Sequence, residues 1–275
     1  MTLLPEIEVL RKNLEKDVVG KKIKDVTVKV ASLVARHRNR PEFVKALSGH
    51  KIRSLERRGS HLVFELDEGA ALVVRLGSQG TMSRETATAP LGKHTQVAAT
   101  FTAGGALHVV DPTKDGELFV VASEELAELP ELTPTGIDPL TDTFTWPAFS
   151  QELRRRNAPL RHVLKDDTFI VGLGDVYADE ILWAAGLSGM RLSSALSSQE
   201  FRRLYRAVQE VLQEAVKQGG TDERADYDDE DEVESGEFLK VYGRTGEACP
   251  RCRQPIRQVT DDDGSEAYFC GSCQT

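Results

Sequence analysis

The chain has only four cysteines, and all of them stand in its last 27 residues as two Cys-x-x-Cys pairs, Cys249 with Cys252 and Cys270 with Cys273. Two thiolates separated by two residues can both reach one metal ion from a tight turn, and a second such pair completes the tetrahedral sulfur shell that Zn²⁺ prefers. The 17 residues between the pairs suit a β-hairpin that brings the two pairs together. The spacing therefore predicts a small folded module held by a structural zinc ion.

Two other interpretations of the cysteines stay open, namely two disulfides or four unrelated thiols. The paired spacing favours the metal site, and residues Met1–Pro5 lack the basic and then apolar pattern of a secretory signal. We therefore expect a cytoplasmic protein, in which disulfides are rare. No apolar run approaches the length that a bilayer-spanning helix needs.

Length and charge limit the function classes. With 275 residues and 40% apolar content, the chain can build two domains with real cores beside the zinc module. Its net charge of −9 argues superficially against a nucleic-acid partner. However, ten acidic residues and one basic residue lie between Asp222 and Glu237, so the rest of the chain is neutral, with 34 basic and 34 acidic residues.

Basic residues cluster within this neutral remainder. Several such clusters could line one cleft that binds a polyanion, and each could equally be an ordinary solvated face. The clusters are Arg36-His37-Arg38-Asn39-Arg40, Arg57-Arg58, Arg154-Arg155-Arg156 with Arg161 and Lys165, Arg202-Arg203 with Arg206, and Arg251 with Arg253 and Arg257.

The hydrophobic pattern predicts a β-rich section after one helix. Pro5 near the first turn and Gly20 at the end bound this amino-terminal helix. Short alternating runs between Gly-rich turns follow and predict an antiparallel sandwich. The clearest runs are Ile23–Val28, His61–Leu66, Leu72–Val74, Gln96–Phe101 and Leu107–Val110.

The periodicity becomes helical from Thr145 to Lys217, with segments near 147–165, 174–186 and 198–217. The turn Gly172-Leu173-Gly174-Asp175 lies directly before Val176–Trp183, so it presents backbone amides at the N-terminus of the second segment. That geometry binds phosphate. The same residues are also common in simple turns, and this alternative stays open.

Eight motifs along the chain occur in an order typical of one family. They are Leu4-Pro5-Glu6-Ile7-Glu8, Arg57-Arg58, Arg75-Leu76-Gly77, Lys93-His94, Asp111-Pro112, Val171–Glu180, Gln218-Gly219-Gly220-Thr221 and Val241-Tyr242-Gly243-Arg244. With these motifs the chain resembles the formamidopyrimidine-DNA glycosylase / endonuclease VIII family of base-excision repair proteins, from Leu4 to Gln274. The stretch Val171–Glu180 looks like the family's helix–two-turn–helix signature.

The resemblance implies an α+β fold. It consists of an amino-terminal helix and a two-layer antiparallel β-sandwich, a helical helix–two-turn–helix domain and a carboxyl-terminal zinc-finger β-hairpin. Double-stranded DNA lies between the domains in this family, and we expect a monomer. The implied boundaries are 1–130 for the sandwich, 131–221 for the helical domain, 222–240 for an acidic loop and 241–275 for the finger.

The resemblance also implies the catalytic groups. Family enzymes use the amine of the residue after the initiator Met, usually proline, to attack the sugar C1′ and form a Schiff base, and a following glutamate acts as acid and base. Here Thr2 and Leu3 occupy these positions, and Leu3 carries no proton. Glu6 matches a carboxylate near the nucleophile, or it caps the helix dipole. The candidate catalytic residues are therefore Thr2 and Glu6.

Other positions depart from the family pattern. Ser60 replaces a phosphate-binding lysine, Asp175 replaces a phosphate-binding asparagine, and Ser265 replaces the arginine of the finger. Three further departures lie where the family inserts side chains into the hole left by a flipped-out base, at Ser78, Thr113 and Asp115. Together these substitutions predict that strand-cleaving lyase activity is weak or lost.

Some DNA-facing groups of the family are retained. The candidate DNA contacts are His94, Lys114, Arg156, Arg161, Gly172 and Gly174. The alternatives are a solvated helix face for the two arginines and a hydrogen-bonded strand residue for His94.

Two functions of different class follow. The first is a DNA-repair protein that binds damaged DNA and excises a base by hydrolysis of the N-glycosidic bond, with weak or absent lyase activity. The second is a catalytically inactive paralogue that binds DNA or a protein. The acidic stretch from Asp222 to Glu237 is either a solvating loop or a segment that suppresses DNA binding or attracts a basic protein partner.

Overall fold

A computed structural model of the chain describes residues 3–133, 135–221 and 238–275. Thr2 and the acidic stretch 222–237 therefore lie outside the described residues. The described residues form two compact units, the first ending at Thr133 and the second made of 135–221 with 238–275. No described helix is long and apolar enough to cross a membrane.

The first unit begins with helix α1, Leu4–Val18, as predicted. Pro5 lies in its first turn, where its missing N–H costs nothing, and Gly20 follows the helix in the left-handed conformation, with φ of 84°. Leu10 and Leu14 lie on the buried face of α1.

Two antiparallel sheets of four strands follow, which confirms the predicted β-sandwich. One sheet has the order β1-β6-β7-β5, and the other has the order β2-β3-β4-β8. The short helix α2, Arg40–Leu47, lies between β1 and β2 in the chain. The strands are β1 Ile23–Val28, β2 Ile52–Arg58, β3 His61–Leu66, β4 Ala70–Arg75, β5 Thr81–Glu85, β6 Thr95–Phe101, β7 Ala106–Val110 and β8 Glu117–Ala122.

The main core of the first unit contains α1 and side chains from both sheets, such as Leu55, Phe64 and Leu107. A smaller core lies on the β2-β3-β4-β8 sheet, where Val73 and Phe119 pack with Leu126 and Leu132. Burial on both faces explains the nearly continuous apolar run of β3.

The second unit contains four helices, α3 Trp146–Arg154, α4 Leu160–Lys165, α5 Gly174–Ala185 and α6 Ser198–Gln218. The prediction of one continuous helix near 147–165 was wrong. The helix breaks before Pro159, because a proline disfavours helical backbone in the residue that precedes it. Helix α6 starts with a capping box, in which Ser197 and Glu200 each bond to the other's backbone amide.

A β-hairpin completes the second unit. Strands β9, Arg257–Thr260, and β10, Glu266–Phe269, pair antiparallel and lie between the two Cys-x-x-Cys pairs. Val241 and Ile256 are buried with the cysteines in a small core of their own. The hairpin predicted from the cysteine spacing is confirmed.

Candidate nucleic-acid interface and metal centre

The four cysteines of the second unit lie together. Their sulfur atoms are all within 4.8 Å of one another, and Cys249 and Cys270 are buried. The Sγ atoms are 3.9 Å apart in Cys249 and Cys273 and 3.4 Å apart in Cys252 and Cys270, which is too far for a disulfide. Four thiols in this arrangement can supply every ligand of a tetrahedral metal site. The predicted cysteine cluster is therefore confirmed as a group positioned to bind a metal.

Helix α5 supplies a neighbour to this cluster. The Trp183 indole N–H donates to Cys249 Sγ over 3.4 Å, and the Arg251 guanidinium stacks 4.3 Å from the Trp183 ring. Burial alone would raise the pKa of the Cys249 thiol, but the hydrogen bonds from Trp183 and from backbone amides lower the pKa to about 6. A thiol with a lowered pKa is largely a thiolate at neutral pH, which is the form that binds metals.

Two adjacent acidic residues of α5 attach the finger to the helix. Glu180 is 3% exposed, and its carboxylate accepts the backbone amides of residues 240–242 over 2.8–2.9 Å. Asp179 is 2% exposed and accepts the Tyr268 amide of β10 over 2.8 Å. Burial raises the pKa of both carboxyl groups, although these hydrogen bonds oppose it. The two side chains thus fix the finger to one side of α5.

Arg161 of α4 is only 4% exposed, and it lies at the centre of a buried ionic network. A guanidinium has five N–H donors, and each donor of Arg161 has an acceptor at 2.7–2.8 Å. The acceptors are the side chains of Asp175, Asp179, Asp261 and Ser265 and the carbonyl oxygen of Glu266. A DNA contact by Arg161 stays a prediction, and it would require some of these bonds to open.

Lys165, one turn after Arg161, joins the same network. Its Nζ lies 2.7 Å from Asp175 Oδ1, 2.6 Å from Asp263 Oδ2 and 2.8 Å from Ser265 Oγ. Asp175 and Ser265 both depart from the family pattern, and each of them contacts both basic side chains. In the second unit, Asp175 and Ser265 therefore both serve as hydrogen-bond or ion-pair partners of Arg161 and Lys165.

The Gly-rich turn precedes α5 as predicted. Gly172 and Gly174 have φ of 68° and 58°, a conformation that glycine adopts without strain. The Gly172 amide donates to Asp167 Oδ1 over 2.8 Å, so the turn is braced from within. Asp175 places a carboxylate in the first turn of α5, where the helix dipole stabilises a negative charge. Phosphate binding by this turn stays a prediction.

Arg156, after the end of α3, is also bonded inside the second unit. Its guanidinium donates to the Glu152 carbonyl over 3.0 Å and to the Thr168 carbonyl over 2.8 Å, and it lies 4.9 Å from the Phe169 ring. The side chain keeps 19% of its surface exposed. Arg156 also lies 3.4 Å from the Glu152 carboxylate and 3.8 Å from the Asp166 carboxylate, so it is held by contacts within the second unit, and a DNA contact by Arg156 stays a prediction.

Helix α1 of the first unit carries Glu6, one of the two predicted catalytic residues, whereas the other, Thr2, lies outside the described residues. Leu3 is the residue before the helix, and Glu6 lies in its first turn with 6% exposure. Two residues later, the Glu8 carboxylate accepts a hydrogen bond from Arg57 Nε of β2 over 3.0 Å. The side chain of Arg57 is only 3% exposed. Arg57 therefore joins α1 to the sheet. Ser60 follows in the turn between β2 and β3.

The three departures at the expected insertion positions of the first unit contact one another. The Ser78 amide donates to Asp115 Oδ1 over 3.1 Å, and the Ser78 hydroxyl lies 3.5 Å from Thr113 Oγ1. Thr113 also donates to the Asp115 carboxylate, and this bond is the main cause that lowers the pKa of Asp115. Ser78, Thr113 and Asp115 thus form one polar cluster.

Asp111, directly after β7, contacts two more of the predicted positions. Asp111 is 1% exposed, and its backbone amide donates to the His94 carbonyl over 2.9 Å. The Asp111 carboxylate accepts the Lys114 amide over 2.8 Å. Lys114 itself is exposed, with φ of 59°. His94, before β6, and Lys114, between β7 and β8, therefore lie in two different loops of the first unit that Asp111 connects.

Sequence reasoning missed three residues of the second unit, Asp179, Glu180 and Trp183, as parts of this site, and it placed Lys165 only in a basic cluster with Arg161. Asp179-Glu180 was visible only as part of a family motif. The available signal was two acidic residues among buried apolar ones on α5, since buried carboxylates require bonded partners. Their partners lie about 60 to 90 residues away in the chain, so the pattern alone could not identify them.

Comparison with protein families gives two matches. The formamidopyrimidine-DNA glycosylase N-terminal domain matches residues 1–118, and the formamidopyrimidine-DNA glycosylase H2TH domain matches residues 135–226. Among curated proteins, a formamidopyrimidine-DNA glycosylase of Pelotomaculum thermopropionicum is 36% identical, over 100% of this chain and 99% of the relative. A protein of the same name from Thermus thermophilus is 37% identical, over 100% and 98%.

Solved structures of a formamidopyrimidine-DNA glycosylase bound to DNA are also similar to this chain. A complex between a mutant of the Lactococcus lactis enzyme and DNA that contains Fapy-dG matches with a TM-score of 0.88 and 30% identity. A complex of the Lactococcus lactis protein with DNA that contains an abasic site matches with a TM-score of 0.87 and 29% identity. Each match covers 99% of both chains.

Proposed function

The chain belongs to the formamidopyrimidine-DNA glycosylase family, and on this premise we propose that it is a DNA-repair protein that binds damaged double-stranded DNA. The observation that carries the proposal is the full-length similarity to glycosylases, at 36–37% identity. Within this proposal, residues 1–130 are the catalytic-type part, 131–221 the DNA-binding part and 241–275 the finger. Any base excision proceeds by hydrolysis rather than through a Schiff base.

The hydrolytic step needs a water and a base. Water attacks the sugar C1′, the bond from C1′ to the base nitrogen breaks with its electron pair leaving on the base, and a proton passes from the water to a carboxylate. Glu6 is the proposed acceptor, because it lies in the first turn of α1 beside the amino end of the chain. The Thr2 amine, exposed if Met1 is removed, is the alternative nucleophile; it would form a Schiff base, which is the outcome that contradicts hydrolysis by water.

The lyase steps lack two groups. Leu3 cannot donate or accept a proton where the family has a glutamate, and loss of such a group costs roughly 10²–10⁴-fold in rate. Ser60 brings no positive charge to the turn after Arg57-Arg58. We therefore propose that strand cleavage is slow or absent.

The metal is proposed to be Zn²⁺ in a structural role. Four cysteine thiolates suit zinc and leave no open coordination position for catalysis. A hairpin of two four-residue strands is too small to fold alone, so the ion would stabilise the finger.

Duplexes that carry an abasic site, an oxidised purine or an oxidised pyrimidine test this function. We expect tighter binding to at least one of them than to undamaged duplex, release of the base without a nick, and no covalent product after borohydride. Glu6→Gln should slow base release by at least about 10²-fold, whereas the matched control Glu15→Gln, on the exposed face of α1, should not. A covalent complex that forms in stoichiometric amount and disappears when Thr2 is blocked would contradict the proposal.

The inactive paralogue is the second candidate. The network that occupies Arg161 and Lys165 favours it, because both basic groups are neutralised inside the protein. The comparisons do not favour it, since the relatives are glycosylases. Damage-specific binding without any released base, at saturating protein, would establish this second function.

A further inference from the structure

A cavity of about 310 Å³ lies in the second unit between α5 and the finger hairpin. Its walls include the apolar side chains of Leu182, Met190, Val259, Ala267 and Phe269. The volume is near the lower end of the range for ligand sites in proteins, and it suits one large apolar side chain.

The mouth of the cavity exposes apolar surface to water. Met190 is 70% exposed and Val259 is 47% exposed. Only five large apolar side chains in the described part of the chain are exposed, and these two are among them. Grouped exposure of apolar side chains at one opening marks an interaction site more often than scattered exposure does.

The polar groups at the floor of the cavity have their hydrogen bonds satisfied by the protein. All five donors of Arg161 are used, and the Asp179 oxygens accept from Arg161 and from the Tyr268 amide. An occupant would therefore be held by apolar contact rather than by these buried groups.

Three aspartates lie at or beside the rim of the cavity, where Asp261 and Asp262 line it and Asp263 follows in the same hairpin turn. Asp261 is paired with Arg161 and Asp263 with Lys165, so of the three it is Asp262 whose negative charge is not offset by any residue that the structure describes. Asp262 is exposed, and within the described residues its carboxylate accepts no hydrogen bond. An unpaired carboxylate beside an apolar opening favours a positively charged neighbour and repels phosphate.

We propose that this cavity is a docking site for a protein segment with one large apolar anchor side chain flanked by lysine or arginine. The anchor fills the space between Leu182 and Phe269, and the basic neighbours meet Asp262. A few anchor side chains in well-packed pockets carry most of the affinity of a protein interface. The proposal does not rest on the acidic stretch 222–237 or on the proposed activity on DNA.

Methionine methyl NMR provides a direct test on the full-length, zinc-loaded protein. The chain has three methionines, and Met190 lies at the cavity whereas Met82 is buried in the first unit and serves as an internal control. The probe is the peptide acetyl-Lys-Arg-Phe-Leu-Lys-Arg-amide. We expect a saturable shift of the Met190 methyl signal with this peptide, and no change at Met82.

Two matched peptides separate the apolar and the ionic parts of the interaction. Replacing Phe-Leu by Gly-Gly, or the four basic residues by glutamate, should weaken binding by at least about tenfold, because the first removes the anchor and the second reverses the charge. A shift caused equally by the acidic peptide would overturn the proposal.

Variants of the chain complete the test. Val259→Lys puts a cation at the mouth and should weaken peptide binding by at least about tenfold, while Leu91→Lys, at an exposed apolar residue of the first unit, should not. Asp262→Asn should weaken binding about threefold at low salt and less at high salt. Tryptophan fluorescence, which reports on Trp146 and Trp183 of the second unit, verifies folding of the variants in that unit. The proposal would be overturned if no peptide shifts the Met190 signal. It would also be overturned if the shift depends on the protein concentration and not on the peptide concentration.

Discussion

Arg161 Nε donates to Asp179 Oδ1 over 2.8 Å, and the two side chains are only 4% and 2% exposed. Two buried opposite charges stabilise the fold only while both are present, because either alone would be left in a poorly solvated place. This pair joins α4 to α5, and through the other donors of Arg161 it also joins both helices to the finger hairpin.

Arg161→Met should therefore destabilise the second unit by about 3–5 kcal/mol. Urea unfolding followed by tryptophan fluorescence reports on this unit, since both tryptophans, Trp146 and Trp183, lie in it. The control Arg155→Met removes an arginine that is 61% exposed and should change stability by less than about 1 kcal/mol. Equal effects of the two substitutions would show that the buried network is not needed for stability.

Asp175→Asn should strengthen DNA binding. The substitution removes a negative charge from the first turn of α5 and frees Lys165 from one of its partners. We expect tighter binding of an abasic duplex by roughly three- to tenfold and a salt dependence steeper by about one counterion. Fluorescence anisotropy over a range of salt concentrations measures both, with the exposed Asp142→Asn as control. Unchanged affinity would mean that this turn does not face DNA.

Glu200 should make the second unit sensitive to acid. A hydrogen bond from Arg191 and further bonds from Ser197 lower the pKa of Glu200 from 4.5 to about 2. Because the pKa is lower in the folded state, the stabilisation is complete above about pH 4.5 and is lost as the pH falls towards 2. Glu200→Gln should flatten the loss of stability in this range, and Glu210→Gln on the same helix should not. Acid titrations of both variants and of the unchanged protein, followed by tryptophan fluorescence, measure this difference in stability.

Metal analysis should find about one Zn²⁺ per chain. Cys270→Ser should unfold residues 249–273 and leave the β-rich first unit intact, because the finger has its own small core around the cysteines. Hydrogen exchange resolved by segment measures both outcomes. Iron in place of zinc, or a metal-free chain with a protected hairpin, would contradict the assignment.

Deletion of the acidic stretch 222–237 should tighten non-specific DNA binding by at least roughly tenfold at low salt and steepen its salt dependence. The ten carboxylates of this stretch would repel a duplex, and only Arg224 offsets them. Replacement by Asn and Gln should have the same effect as deletion. If affinity and salt slope stay the same, the stretch does not regulate DNA binding.

The sequence was sufficient for the features that depend on local patterns. The start of α1 at Pro5, the turn before α5 and the hairpin between the cysteine pairs all follow from residues close together in the chain. Strands β2, β5 and β8 were not among the clearest runs. Strands β2 and β5 bury few side chains, so they are recognisable mainly through their partners in the sheet. Strand β8 contains a continuous apolar run, Leu118 to Val121, which the pattern could have shown.

The ionic network could not be predicted from the sequence. Arg161 and Asp261 are 100 residues apart, and the basic cluster around Arg161 suggested a surface that faces DNA. Whether a charged side chain is exposed or buried depends on which distant segments fold against it. Asp175 and Ser265 appeared as separate losses in the sequence, whereas in the structure they bind the same two basic side chains.

Helix α5 carries the turn at Gly174, the partner of Arg161 at Asp179, the attachment of the finger at Glu180 and the neighbour of the metal ligands at Trp183. An α-helix rises about 1.5 Å per residue, so Gly174, in the turn, and Trp183, beside the metal ligands, lie about 13 Å apart along the axis of α5. The helix therefore works as a spacer of fixed length. One residue inserted after Asp175 would rotate the turn by roughly 100° relative to the finger, so the helix length, and not only its residues, is under constraint.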